Sequence, residues 1–155
     1  LMYVRRYDEV IRVLRKTLQS SPIEPVALST IRSAYHQKKM DDEALEAWRL
    51  SYEARGDSEA IHALNHGRAE GGYSRALQNL AEMLIERSKT SYVAPWQVAT
   101  LYTRAGMKEA ALDWFEKAYD AHDPNMPYLN VDPIFDELRG HPRFQAILKK
   151  MGLAP

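Results

Sequence analysis

Five histidines, at positions 36, 62, 66, 122 and 141, are the residues of this chain best able to bind a metal or move a proton near neutral pH. Only His62 and His66 stand four apart, the spacing at which one helix turns two imidazoles toward a single ion. The metalloprotease pattern also needs a glutamate directly after the first histidine as general base. The chain reads His62-Ala63-Leu64-Asn65-His66, so that base is absent. Glu59 and Glu70 lie one turn outward, and nothing in the sequence marks either as a third ligand. A solvated helix face accounts for both histidines, and no metal or other cofactor is assigned.

Nucleophilic and phosphate chemistry also lack their patterns. No G-x-S-x-G places a serine on a strand-to-helix elbow. Cysteine is absent, which removes thiol nucleophiles, disulfides and cysteine-ligated metals. Gly71-Gly72 precedes a helical stretch without Walker or dinucleotide-binding spacing and reads as an inter-helix turn. Asp41, Asp42, Glu43 and Glu46 crowd a predicted helix start, where negative charge complements the helix dipole. The basic segment Arg5, Arg6, Arg12, Arg15 and Lys16 is interrupted by Asp8 and Glu9 and lacks interleaved aromatics, so it reads as a solvated face. No catalytic residue is assigned, and the chain is read as a non-enzyme.

The elements that must position these residues are helices. In Tyr7–Leu18 the apolar residues Tyr7, Val10, Ile11, Val13, Leu14 and Leu18 mark one broad face, with Arg12, Arg15 and Lys16 largely opposite. Sustained alternation of β-branched residues is missing, as are Asn-Gly and Asp-Gly hairpin signals. Breaks fall at Ser21-Pro22, Lys39 to Asp42, Gly56-Asp57, Gly71-Gly72, Ala94-Pro95, Gly106 and Asp123-Pro124. Segments of about 12–16 residues between such breaks form antiparallel helix hairpins with short loops, which predicts an all-α chain.

At 155 residues the chain has room for a sizeable core. Lysine plus arginine and aspartate plus glutamate both number 21, a balance that argues against direct nucleic-acid binding. Apolar runs fall far short of the ~20 residues of a membrane helix, and a cytoplasmic location without a membrane segment is expected.

The hairpins repeat. A small residue four before a large one lets two helices pack closely, and the step occurs at Val10/Leu14, Ala44/Trp48, Ala76/Leu80 and Ala111/Phe115. Its leading residues recur at intervals of 34, 32 and 35. Leu28, Ile31, Arg32 and Tyr35 share their spacing with Pro95, Val98, Ala99 and Tyr102, while Ala60, Ala63, Leu64 and Gly67 give a degenerate middle version. Thr17, Ser51, Met83 and Ala118 trail the large residues by three, with Met83 larger than the position favours. With this period and these spacings the chain resembles the tetratricopeptide repeat family over about residues 3–124. The resemblance implies a right-handed α-solenoid: 1–22 completes an upstream repeat, and 25–56, a degenerate 57–90 and 92–124 form three repeats.

Residues 125–155 are read as a capping segment, with a short helical turn at 133–138 and a final helix at 142–150. Asp132-Pro133 and His141-Pro142 supply N-caps followed by proline. Phe135, Leu138, Phe144, Ile147 and Leu148 are expected to cover the last hairpin, since a solenoid end otherwise exposes its apolar face. The run from Tyr92-Val93-Ala94-Pro95 to Met151-Gly152-Leu153 resembles the C-terminal segment of bacterial multidomain signalling proteins, among them transcriptional regulators, cyclase-like proteins and protein kinases.

In such a solenoid the first helix of each repeat lines a concave wall. Here that wall is expected to hold Ser29, Ser33, His36, Asn65, Arg68, Trp96, Thr100 and Arg104, polar side chains with one exposed aromatic. This composition suits an extended peptide or a partner helix. Only Asn65 matches the carboxylate clamp of chaperone-cofactor tetratricopeptide proteins, so that specificity is not carried over. The function expected is a non-catalytic protein-interaction module in a bacterial signalling or regulatory protein. The competing expectation is a ligand-sensing domain that controls an attached enzyme or DNA-binding module.

Leu1 is not an initiator methionine and helix is expected over 3–20, which reads as a piece of a longer protein. The face formed by Val10, Leu14 and Leu18 is expected to lack half its cover, and either to pair with a second copy or to receive upstream residues. Trp48 and Phe115 are assigned to packing between helices, and Trp114 to a neighbouring repeat or the cap. Trp48→Ala is accordingly expected to cost about 3–5 kcal/mol in denaturant unfolding, as a core large-to-small change.

Overall fold

The computed structural model describes Met2 and residues 5–153, and these form helices with no strand among them. The α-helices are α1 (Tyr7–Ser20), α2 (Pro25–Gln37), α3 (Asp41–Glu53), α4 (Ser58–Arg87), α5 (Pro95–Arg104), α6 (Lys108–Asp120) and α7 (Pro142–Lys150). Two short 3-10 helices, Met126–Asn130 and Pro133–Leu138, lie between α6 and α7. The all-α expectation and each predicted break are borne out. The first 3-10 helix was not expected, because a five-residue turn carries no readable periodicity.

Helix starts are set by proline and by side-chain acceptors. Pro25, Pro95, Pro133 and Pro142 occupy first-turn positions, where the missing N–H costs no helical hydrogen bond. The Glu24 carboxylate accepts from the backbone N–H groups of Val26 and Ala27, and Asp132 accepts from Ile134 at 3.0 Å. Helix stops follow a single geometry. The N–H groups of Met40, Asp57, Met107, Asp123 and Leu153 each reach back five residues, to the carbonyls of Tyr35, Tyr52, Tyr102, Ala118 and Leu148, at 2.9–3.0 Å. This six-to-one closure needs a left-handed residue just before its donor. Gly56, Gly106 and Gly152 supply it, and so do Lys39 and His122 at φ 57° and 53°.

The chain divides into two units, Leu1–Asn79 and Leu80–Pro155. In the first, α2 packs on α1 and on α3. Its core joins Val10 and Ile11 of α1 to Leu28, Ile31, Ala34 and Tyr35 of α2 and to Ala44 and Ala47 of α3. Helix α1 starts at Tyr7, four residues later than the expected 3–20; Arg5 sits at φ 58° and Arg6 is the N-cap, while residues 3 and 4 lie outside the described residues. The expected bare face is also smaller than the sequence suggests. Val10 and Ile11 are buried and Leu14 and Leu18 half-buried, because α2 and Met40 cover that side; Val13 is left exposed.

Helix α4 is two arms. Gly71 (φ −162°) and Gly72 (φ 73°, ψ −150°) interrupt it, and the Gly72 geometry is open only to glycine. The turn folds 73–79 back along the first arm, so closely that a Cβ at Gly67 would lie 2.5 Å from the Arg75 carbonyl oxygen and 2.7 Å from the Ala76 Cα. In the second unit α5 packs on α6, and α6 on α7. Phe115, Phe135 and Phe144 are fully enclosed, and Leu138, Ile147 and Leu148 are buried too, as expected of these side chains.

Alanine at Gly67 gains about 1 kcal/mol of helix propensity. Against backbone atoms that cannot step aside, its Cβ costs about 3 kcal/mol. Gly67→Ala should therefore lose about 2 kcal/mol net in urea unfolding; a neutral or stabilised variant would show that the arms do not approach this closely.

Candidate functional site

The residues expected to line a wall fall in both units, and each set has its own surroundings. In the first unit, α2 carries Ser29, Ser33 and His36. Ser29 Oγ donates to the Val26 carbonyl at 3.0 Å, and Ser33 Oγ to the Ser29 carbonyl at 3.3 Å. Ser33 is buried, so its hydroxyl serves its own helix. His36 Nδ1 lies 2.9 Å from the Tyr73 hydroxyl, with ring centroids 5.7 Å apart, which ties α2 to the second arm of α4. Asn65 is exposed on the first arm. Arg68 Nη2 meets Asp42 Oδ1 of α3 at 2.7 Å in an open ion pair of small energetic weight.

In the second unit, Trp96 is not the exposed aromatic that the spacing suggests. It is half-buried, its ring 5.5 Å from Phe115 and 5.4 Å from Phe135, with Phe115 and Phe135 themselves 5.3 Å apart. All three contacts are edge-to-face, the arrangement the ring quadrupoles favour. The correction has a clear cause: the 3-10 turn Pro133–Leu138 brings Phe135 over Trp96, a contact that no repeat spacing encodes. Thr100 is buried and donates to the Gln97 carbonyl at 3.0 Å, and Arg104 is half-buried. Trp114 is half-buried with the Lys117 ammonium 4.0 Å from its ring centroid.

Sequence reasoning missed Val26, which is 70% exposed one turn before Ser29. The available signal was an apolar residue standing off the buried Ala27, Leu28 and Ile31 face. Trp48 is 5% exposed, as assigned, and the Arg32 guanidinium lies 3.6 Å from its ring centroid. Arg32 occupies the position where the repeat pattern favours glycine.

The strongest electrostatic cluster joins α7 to α6. Glu109, Asp113 and Glu116 share one face of α6, and Arg143 reaches all three, through Nη1 at 2.9 Å, Nη2 at 2.6 Å and Nε at 3.1 Å. His141 caps α7 by accepting from the Arg143 N–H through Nδ1 at 3.2 Å, so its proton sits on Nε2 and points to Glu109 Oε1 at 2.8 Å. Hydrogen bonds first from His141 and then from Arg143 hold the Glu109 carboxyl below its ordinary range. The three carboxylates, Glu116 foremost, push the Arg143 guanidinium further up. The acids of this cluster are held by hydrogen bonds from Arg143 and His141, which clasp α7 to α6.

His62 and His66 lie one turn apart on the first arm of α4, with ring centroids at 6.0 Å. Among the described residues, no group of three or more His, Asp or Glu side chains is placed to hold a metal ion, and no helix is long and apolar enough to cross a membrane. Compared with known proteins, the chain matches no family model, no curated protein and no solved structure.

Because the folded carboxyl of Glu109 titrates below its unfolded value, its contribution to stability is present above the unfolded pKa of about 4.3 and fades as pH falls through the folded value. Glu109→Gln should thus be less stable than the parent at pH 7, and the gap should close below about pH 4. Thermal melts across that range measure it; a gap independent of pH would place the effect in packing.

Proposed function

We propose that this chain is a non-catalytic interaction module, a tetratricopeptide-like stack of helix hairpins that binds a peptide or partner protein along the first helices of its repeats. The supporting observation is the recurrence of fully buried small residues. Ala44, Ala76 and Ala111, spaced 32 and 35 residues apart, are each completely enclosed, and their partners Trp48, Leu80 and Phe115 are buried too. Repetition of that step at a near-constant period is what a right-handed solenoid requires.

In the first unit the accessible part of the wall is Val26, Ser29, Asn65 and Arg68, one apolar residue among donors and acceptors. Such a surface engages an extended segment through side-chain hydrogen bonds and a small apolar anchor, on helices that need no ordering when the ligand arrives. The capping segment and its resemblance to bacterial signalling proteins support placing the module at the C-terminal end of a regulator. The Arg143 clasp and the enclosed aromatic residues fit a scaffold that stays rigid while it binds.

A random peptide library displayed on phage and panned against the purified chain tests the reading. Enriched peptides should bind the parent and lose about tenfold affinity on the Val26→Glu, Arg68→Glu double substitution, a loss of about 1.4 kcal/mol. Failure to enrich any sequence, or equal binding by the double variant, would overturn it.

A further inference from the structure

We propose that His62 and His66 chelate a divalent transition-metal ion of the imidazole-seeking class, Cu2+, Ni2+ or Zn2+, on the exposed face of the first arm of α4. The sequence reading set these residues aside because a third ligand and a general base are missing; a surface chelate needs neither, since water completes the shell. Both side chains are exposed. An ion about 2.1 Å from one nitrogen of each ring sets the ring centroids about 4.6 Å apart at a right angle and about 5.3 Å apart at the tetrahedral angle. The observed separation is 6.0 Å with the rings inclined by 33°, so a small rotation of the two exposed side chains brings both nitrogens onto one ion.

The surroundings of His66 bear on which nitrogen would bind. Its Nδ1 lies 3.5 Å from Glu70 Oε2, and in the tautomer that carries its proton there Nε2 is left for the ion. Glu70 is itself held by Arg75 Nε at 3.2 Å, and that hydrogen bond is the main reason its carboxyl stays below the ordinary range. A carboxylate behind a ligating imidazole orients the ring and raises its basicity. Imidazole pairs favour copper, nickel and zinc over magnesium and calcium, which prefer oxygen. The two nitrogens meet one ion only while residues 62–66 are helical, so binding would stabilise the arm that ends at the Gly71–Gly72 turn.

The experiment titrates Cu2+ into the purified chain in a non-coordinating buffer and reads electron paramagnetic resonance together with the melting temperature. The expected result is one ion per chain, hyperfine structure from two nitrogens and a saturable rise in melting temperature. His62→Ala and His66→Ala should each weaken this binding by about tenfold or more and remove the two-nitrogen signal, with helical circular dichroism unchanged. His122→Asn, which alters a histidine at an isolated left-handed turn, should leave both readouts intact. A one-nitrogen spectrum in the parent chain, or binding that survives either alanine substitution, would overturn the proposal.

Discussion

Close approach of paired helices at small side chains is the constraint on which the rest of this protein depends. Two helix backbones can lie near each other only where at least one side contributes almost no side chain. Ala44 and Ala111 meet that condition on α3 and α6, and Gly67 faces Arg75 and Ala76 within the α4 hairpin. The large residue one turn later, Trp48 or Phe115, is buried as well. A methyl group is tolerated at most of these contacts, but at Gly67 even that is too much. Glycine at 67 is what lets the first arm of α4 lie against Arg75 and Ala76.

Once the contacts are set, the ends of the helices keep them in register. Five helices stop with the same backbone closure, and two of these stops hold a non-glycine residue in a left-handed conformation. Left-handed lysine and histidine cost more than glycine would, and the hydrogen bonds closed by Met40 and Asp123 offset that cost. In the second unit the tail adds an electrostatic layer. Arg143 and His141 gather carboxylates that would otherwise repel one another along α6, and so convert a strained acidic face into an attachment point.

The candidate site was only partly legible. Asn65 and Arg68 are exposed on the first arm of α4, as expected of accessible side chains. Ser33 and Thr100 satisfy their own helices, because a hydroxyl facing the preceding turn finds a carbonyl before it finds a partner. Trp96 is half-buried rather than exposed because its cover, Phe135, comes from a turn nearly forty residues later. The arginine clasp was half readable: carboxylates at 109, 113 and 116 are visible as one helix face, but the cation that neutralises them is remote in sequence.

By itself the sequence determined the helical class, the turns, the caps at Asp132 and His141, and the core face of nearly every helix. Those features follow from local stereochemistry and from a period of 3.6 residues, both contained in short windows. Tertiary structure alone decided how closely the arms of α4 approach at Gly67, which aromatic residues share an interior, and which carboxylate the Nε2 of His141 meets. Each of these depends on groups distant along the chain meeting at a few ångströms, a distance that no local pattern specifies.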